Sequence, residues 1–260
     1  MSMRIIDCHA HIFDSRDYIE NLIKAMNENH IERTCVSGLG KHFKCVDNQG
    51  IKLAFEKYPE RFIGAYYLRP GFSKVDEIEN AYAKGFKMLK ISLPQKPYDD
   101  ASYFPLWESA QELKMPILFH TGVVTLVKPS KNEYISSWYM HPMRIEPIAN
   151  SFPKLNMIIA HLGVHWNEDA AELIRMKRNV YADLSGAPLG WRFRADAVGM
   201  NHYLWWKDAF KKIMFGTDVF YNQIALILKE DIQRLNDLNI DQETQNLILS
   251  GNILKMLGEK

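Results

Sequence analysis

What this chain has little of narrows its class before any motif is read. It holds three cysteines, Cys8, Cys35 and Cys45, and no Cys-x-x-Cys spacing. An odd, scattered set argues against a disulfide framework and suits a reducing compartment. No apolar run approaches the roughly 18 residues of a membrane span. The short N-terminus turns directly into a strand, without the apolar stretch of a signal peptide. The expected location is therefore the cytoplasm. Neither sign of charge dominates: 32 basic and 31 acidic residues leave a net charge of +1. That balance calls for neither nucleic acid nor an anionic membrane. A phosphate-binding glycine loop is also missing, since Gly38-Leu39-Gly40-Lys41 fits neither G-x-G-x-x-G nor G-x-x-x-x-G-K-[ST]. No repeat, low-complexity tract or linker divides the chain, so residues 1–260 are expected to form one domain.

What is present is alternation. Short apolar runs occur at 4–9, 33–37, 62–68, 86–91, 116–120, 155–161, 180–184 and 213–216. Each has the length and turn-residue borders of a buried strand. Between them lie amphipathic stretches. In the first, Ile19, Leu22, Ile23 and Met26 recur at helical spacing, with Asp14 or Ser15 available as a cap. Others run over 51–58, 75–84, 103–114, 143–152, 203–212, 224–238 and 243–257, and Asn167 is placed to cap one more. Strand and helix in strict alternation give parallel strands through right-handed crossovers. Eight such units in this length predict a closed (β/α)8 TIM barrel. Two connections are long, 122–140 and 186–201, and both fall on the C-terminal face of the strands, where barrels carry their sites.

The strand ends carry the chemistry. Asp7-Cys8-His9-Ala10-His11 closes the first run, and a side-chain period of two sends His9 and His11 to one side. The fifth run ends in His120, the sixth in His161 and the eighth in Asp218. A lone histidine after an apolar run is most often structural. Five such groups, all at C-terminal strand ends, converge on one barrel mouth and suit zinc or a similar divalent ion.

This constellation resembles the amidohydrolase superfamily, in particular the branch with aminocarboxymuconate-semialdehyde decarboxylase and lactonase-type enzymes. The resemblance rests on Asp7-Cys8-His9-Ala10-His11, Phe119-His120-Thr121-Gly122, Ile159-Ala160-His161-Leu162-Gly163 and Phe215-Gly216-Thr217-Asp218. Weaker echoes are 181–186 and Gly251-Asn252-Ile253-Leu254. It implies that His9, His11, His120 and Asp218 hold one divalent metal, Zn²⁺ first among the choices. It also implies that Asp218 accepts the proton and His161 activates or orients the water. The implied activity is hydrolysis of an amide, ester or lactone carbonyl of a small molecule by metal-bound hydroxide. Non-oxidative decarboxylation of a small aromatic or unsaturated acid is the alternative within the same branch. A non-catalytic metal-binding barrel is a third reading.

Two features depart from the usual pattern. Val164-His165-Trp166 follows the His161 motif, and His165 is read as facing outward. Lys90 lies on the fourth strand, where a carboxylated lysine bridges two metals in binuclear relatives. The preferred reading here is a lysine reaching a substrate anion or an internal carboxylate, with one metal per chain. Arg69, Trp138 and Arg192 are further candidates for contact with substrate, and His42 and Cys45 either line the pocket or belong to a solvated loop. Asp183 is expected to support a histidine at the mouth, and His141 to start a helix. The aromatics of the long loops make a homodimer plausible.

Overall fold

The computed structural model describes residues 3–124 and 134–259, so residues 125–133 of the long connection after the fifth strand lie outside it. Eight strands and their helices follow in order: β1 Ile5–His11, α1 Tyr18–Glu28, β2 Ile31–Ser37, α2 Asn48–Lys57, β3 Phe62–Leu68, α3 Asp76–Ala83, β4 Met88–Ile91 and α4 Phe104–Glu112. Then come β5 Ile117–Phe119, α5 Glu146–Ser151, β6 Met157–Ile159, α6 Asn167–Met176, β7 Val180–Asp183, α7 Trp191–Val198, α8 Met200–Tyr203 and β8 Ile213–Met214. The chain ends with α9 Ile224–Asp237, α10 Gln242–Asn246, a π-helical turn Leu247–Gly251 and α11 Asn252–Leu257.

All neighbouring strands pair in parallel, in the order β1 to β8. The loop after β8 closes the ring onto β1. Cys8 N–H donates to the Phe215 carbonyl at 3.0 Å, and Asp218 N–H donates to the His9 carbonyl at 2.8 Å. The (β/α)8 barrel expected from the alternating pattern is therefore the fold. Inside the ring, Ile6, Cys35, Ile63, Met88, Leu118 and Ile158 pack together, joined by Ile253, Leu254 and Met256 from around α11. That C-terminal segment covers the end of the barrel opposite the strand C-termini. Outside the ring, helix faces close on the strands around fully buried residues such as Trp107, Phe86 and Ile78.

β1 does not keep a strict period of two. Asp7 pairs with Thr34 and Ala10 with Val36, so β1 spends one residue more than β2 over this interval. Such a bulge re-aims the side chains beyond it. Cys8 belongs to the interior cluster, and plain alternation would turn His9 away from it. With the extra residue, His9 and His11 both join the mouth.

Several helices are shorter than the sequence pattern suggests. The expected helix over 143–152 is a 3₁₀ turn Pro142–Ile145 followed by α5, and that over 203–212 is a 3₁₀ turn Ala209–Lys212 after α8. The first helix is capped by Asp17 in a left-handed conformation, with no side-chain cap bond from Asp14 or Ser15. The stretch 186–201, read as a loop, contains α7. Among the described residues, no helix is long and apolar enough to cross a membrane.

Candidate metal centre

His9, His11 and Asp218 bring one donor atom each to within 4.8 Å of one another. The Asp218 carboxylate is the meeting point. Its Oδ1 lies 3.2 Å from His11 Nε2 and 3.9 Å from His9 Nε2, and its Oδ2 lies 3.5 Å from His161 Nε2. Asp218 adopts φ 49° and His161 φ 58°, left-handed values that cost a non-glycine residue about 1–3 kcal/mol. Surrounding bonds hold them there: the Asp218 N–H is fixed to His9, and the His161 N–H donates to Asp183 Oδ1 at 2.8 Å.

The His9 and His11 rings are oriented from behind. The His9 Nδ1–H donates to Asp183 Oδ2 at 2.9 Å. His11 Nδ1 faces the Ser37 carbonyl at 3.2 Å and the Ser37 hydroxyl at 2.9 Å. Since the Nδ1 atoms are engaged, the Nε2 lone pairs are left for the cavity, which is how metal-binding histidines are prepared. Asp7 pins the bulge itself. Its Oδ1 accepts from the N–H groups of His9 and Thr217, both at 3.0 Å, and its Oδ2 accepts from the Thr217 hydroxyl at 2.6 Å. Burial pushes the Asp7 carboxyl up to about 7 despite these donors.

The donor set fits a divalent cation. His120, at the end of β5, is the test: its Nε2 is buried and has no hydrogen-bond partner. A buried nitrogen left orphaned costs about 1–3 kcal/mol, and a metal would use it. His120 lines the same cavity as His11 and Asp218. Three imidazoles and a carboxylate are borderline donors of the kind zinc and its neighbours take. Lys90 complicates the picture. Its Nζ lies 2.7 Å from His9 Nε2, so that lone pair serves either the amine or a metal, not both at once. Burial lowers the Lys90 ammonium to about 8, although Asp218 and Asp183 pull it upward.

The cavity measures about 200 Å³. Its lining mixes polar groups, among them His11, Lys90, His120 and Asp218, with apolar ones such as Phe13, Leu39 and Phe43. Apolar lining with a few polar groups suits a small molecule.

The chain matches the protein family described as Amidohydrolase over residues 6–258. It belongs to the amidohydrolase family. This membership makes it an enzyme, as the motifs implied. No curated protein matches this amidohydrolase in sequence. Solved structures share its fold. An uncharacterised TIM-barrel protein from Bordetella bronchiseptica superposes with a TM-score of 0.72 at 16% identity, covering 98% of this chain and 99% of its own. A probable 2-pyrone-4,6-dicarboxylic acid hydrolase from Acinetobacter baumannii gives 0.68 at 16% identity, covering 98% and 100%. A 5-carboxyvanillate decarboxylase from Novosphingobium aromaticivorans, complexed with manganese, gives 0.64 at 13% identity, covering 99% and 96%.

The residues singled out from sequence fall into two groups. His9, His11, His120, His161, Lys90 and Asp218 assemble at the mouth, with Asp183 behind His9 as expected. Cys45 lines the cavity, whereas His42 is not among its walls. His165 is exposed, and His141 caps the turn Pro142–Ile145 through Nδ1. Three expected substrate contacts do not line the cavity. Arg192 is completely buried against Asp231 and Glu230, because α7 is a helix facing α9 and not a loop over the mouth. Trp138 is 55% exposed and packs, tilted, against His141. Arg69 lies over the Phe72 ring and reaches the Leu93 carbonyl. Sequence reading missed Asp7, Ser37 and Ser185 as supports of the histidines. Aspartate and serine are too common in loops to signal such a role without a partner in view.

Proposed function

We propose that this amidohydrolase is a metal-dependent hydrolase acting on an amide, ester or lactone carbonyl of a small molecule. The observation that carries the reading is the Asp218 carboxylate, set among three imidazole Nε2 atoms at the cavity floor. His9, His11, His120 and Asp218 would hold the ion, zinc first and manganese a close second. When bound, a divalent cation there polarises a carbonyl and lowers the pKa of water. Asp218 supplies the proton acceptor. Burial raises its carboxyl, but the imidazoles of His9, His11 and His161 outweigh burial and hold it well below the ordinary carboxylate range. It is therefore ionised and able to take a proton from attacking water and return it to the leaving group. His161 Nε2, beside Asp218 Oδ2, orients that water. Lys90 is the cavity's cation and pairs with an anionic group of the substrate.

A second reading is decarboxylation. That Lys90 lines the same cavity as the apolar residues Phe13, Leu39 and Phe43 favours it. A carboxylate would meet the lysine and an unsaturated or aromatic body would meet those residues. The three cysteines are free and buried, in keeping with a cytoplasmic protein.

The test is turnover of a panel of small esters, lactones, amides and unsaturated acids, read both as acid release and as carbon dioxide. Asp218→Asn is expected to lower kcat by at least about 10²-fold, the usual worth of a positioned acid–base group. Carbon dioxide release without hydrolysis selects the second reading, and full activity in Asp218→Asn removes Asp218 as the proton acceptor.

A further inference from the structure

The hydroxyl of Ser185, two residues beyond the end of β7, has three partners. Its Oγ lies 2.5 Å from Asp183 Oδ1, 2.9 Å from His161 Nδ1 and 3.0 Å from His9 Nδ1. Ser185 is fully buried. A hydroxyl has one proton to give and two lone pairs to receive with. Asp183 Oδ1 already accepts from the His161 N–H at 2.8 Å and the Ser185 N–H at 3.0 Å, and its Oδ2 accepts from His9 Nδ1–H. Asp183 is thus a carboxylate with only acceptors to offer, and the Ser185 proton goes to Oδ1. What remains on Oγ accepts.

His161 Nδ1 then meets acceptors alone, the Ser185 Oγ and the Ser185 carbonyl at 3.2 Å. It has to carry the proton. Resting on the hydrolase reading above, we propose that Ser185 is a positioning residue that holds the His161 ring with Nδ1–H toward its Oγ and so turns Nε2 to Asp218 and the cavity. One hydroxyl, on one carboxylate, ties the metal-side imidazole of His9 and the water-side imidazole of His161 to the same anchor. The rings sit with centroids 5.2 Å apart, close enough for a single group to serve both.

The bond pattern makes the two histidines respond differently. His9 Nδ1 keeps Asp183 Oδ2 when Ser185 is lost; His161 Nδ1 keeps only a backbone carbonyl. The experiment is ¹⁵N NMR of histidine-labelled full-length protein, as purified and after chelator treatment, with signals assigned through His9→Gln and His161→Asn. In the unaltered chain both rings are expected to show Nδ1–H. In Ser185→Ala the His161 signal shifts toward a tautomer mixture and His9 stays unchanged. Asp183→Asn perturbs His9 as well. If turnover is found, Ser185→Ala lowers kcat by about 10- to 100-fold, as loss of an outer partner does, with KM nearly constant. An Nε2–H tautomer at His161 in the unaltered protein overturns the proposal, and that measurement needs no variant to fold. So does a His161 signal unmoved in a folded Ser185→Ala. A protein without any hydrolytic turnover but with the expected tautomers sinks the hydrolase reading and leaves the assignment of Ser185 standing.

Discussion

His9 illustrates what the mouth costs at the level of single residues. Burial, followed by the nearby Lys90, drives its imidazole from 6.5 down to about 4. His120 is lowered well below its ordinary value, by burial first and then by His161. Between those values and 6.5 the unfolded chain binds protons at these rings that the folded chain refuses. Stability therefore falls as the pH drops through this window, and rises with pH until both states are neutral. For His9 alone the loss between pH 7 and pH 5 is about 2 kcal/mol. Denaturant unfolding at these two pH values should show His9→Gln losing less stability than the unaltered chain by roughly that amount. Equal losses in the two proteins would contradict neutral burial of His9. That His9, His11, His120, His161 and Asp218 come together at one mouth was legible from sequence because each closes or directly follows an apolar run. Ser185 was not, since nothing in a serine's spacing reveals three partners on three elements. Arg192 was misplaced for the opposite reason: an arginine in a long connection reads as exposed until the helix that buries it is seen.

At the level of elements, β1 and the stretch after β8 form one unit. The bulge at Asp7–Ala10 turns His9 inward, and Gly216 leaves the room it needs. A Cβ at Gly216 would stand 2.9 Å from the His9 Cβ and 3.3 Å from Cys8 Sγ. Gly216→Ala must push β1 away from β8, at a cost of about 1–3 kcal/mol. A thermal melt together with metal analysis checks this, and both stability and bound metal should fall. An unchanged melt and unchanged metal content would show that β1 has slack. Gly122 does similar work after β5. Its φ is 106°, and a Cβ there would stand only 2.2 Å from the Val164 carbonyl oxygen, so no side chain fits. Strand existence was readable from the runs, but the bulge was not. It is a matter of register between β1 and β2, and one strand's sequence holds no record of its partner's count. α7 was hidden by the glycines and proline around it, Gly186, Pro188, Gly190 and Gly199, which read as loop punctuation.

For the molecule as a whole, the repeated strand–helix unit made the barrel legible: eight weak signals with the same order outweigh any one misjudged boundary. What holds the outer layer beside α7 is a chain of ion pairs that no local pattern announces. Arg192 and Arg234 both bond Asp231, and Arg234 clamps Asp196 at 2.6 and 2.7 Å. Removing the shared carboxylate leaves two guanidinium groups without it. Asp231→Ala should cost about 3–5 kcal/mol by chemical denaturation, while kcat per folded molecule stays the same. A large fall in kcat with unchanged stability would instead return Arg192 to the substrate site.

The most direct measurement is elemental analysis of the purified chain and of His9→Ala and His120→Ala. One equivalent of divalent metal is predicted, dropping sharply in both variants while the fold persists. Two equivalents would bring Lys90 into the site as a bridge. Metal content that stays the same when His9 or His120 is removed, or a chain that takes up no divalent ion at all, would contradict the account.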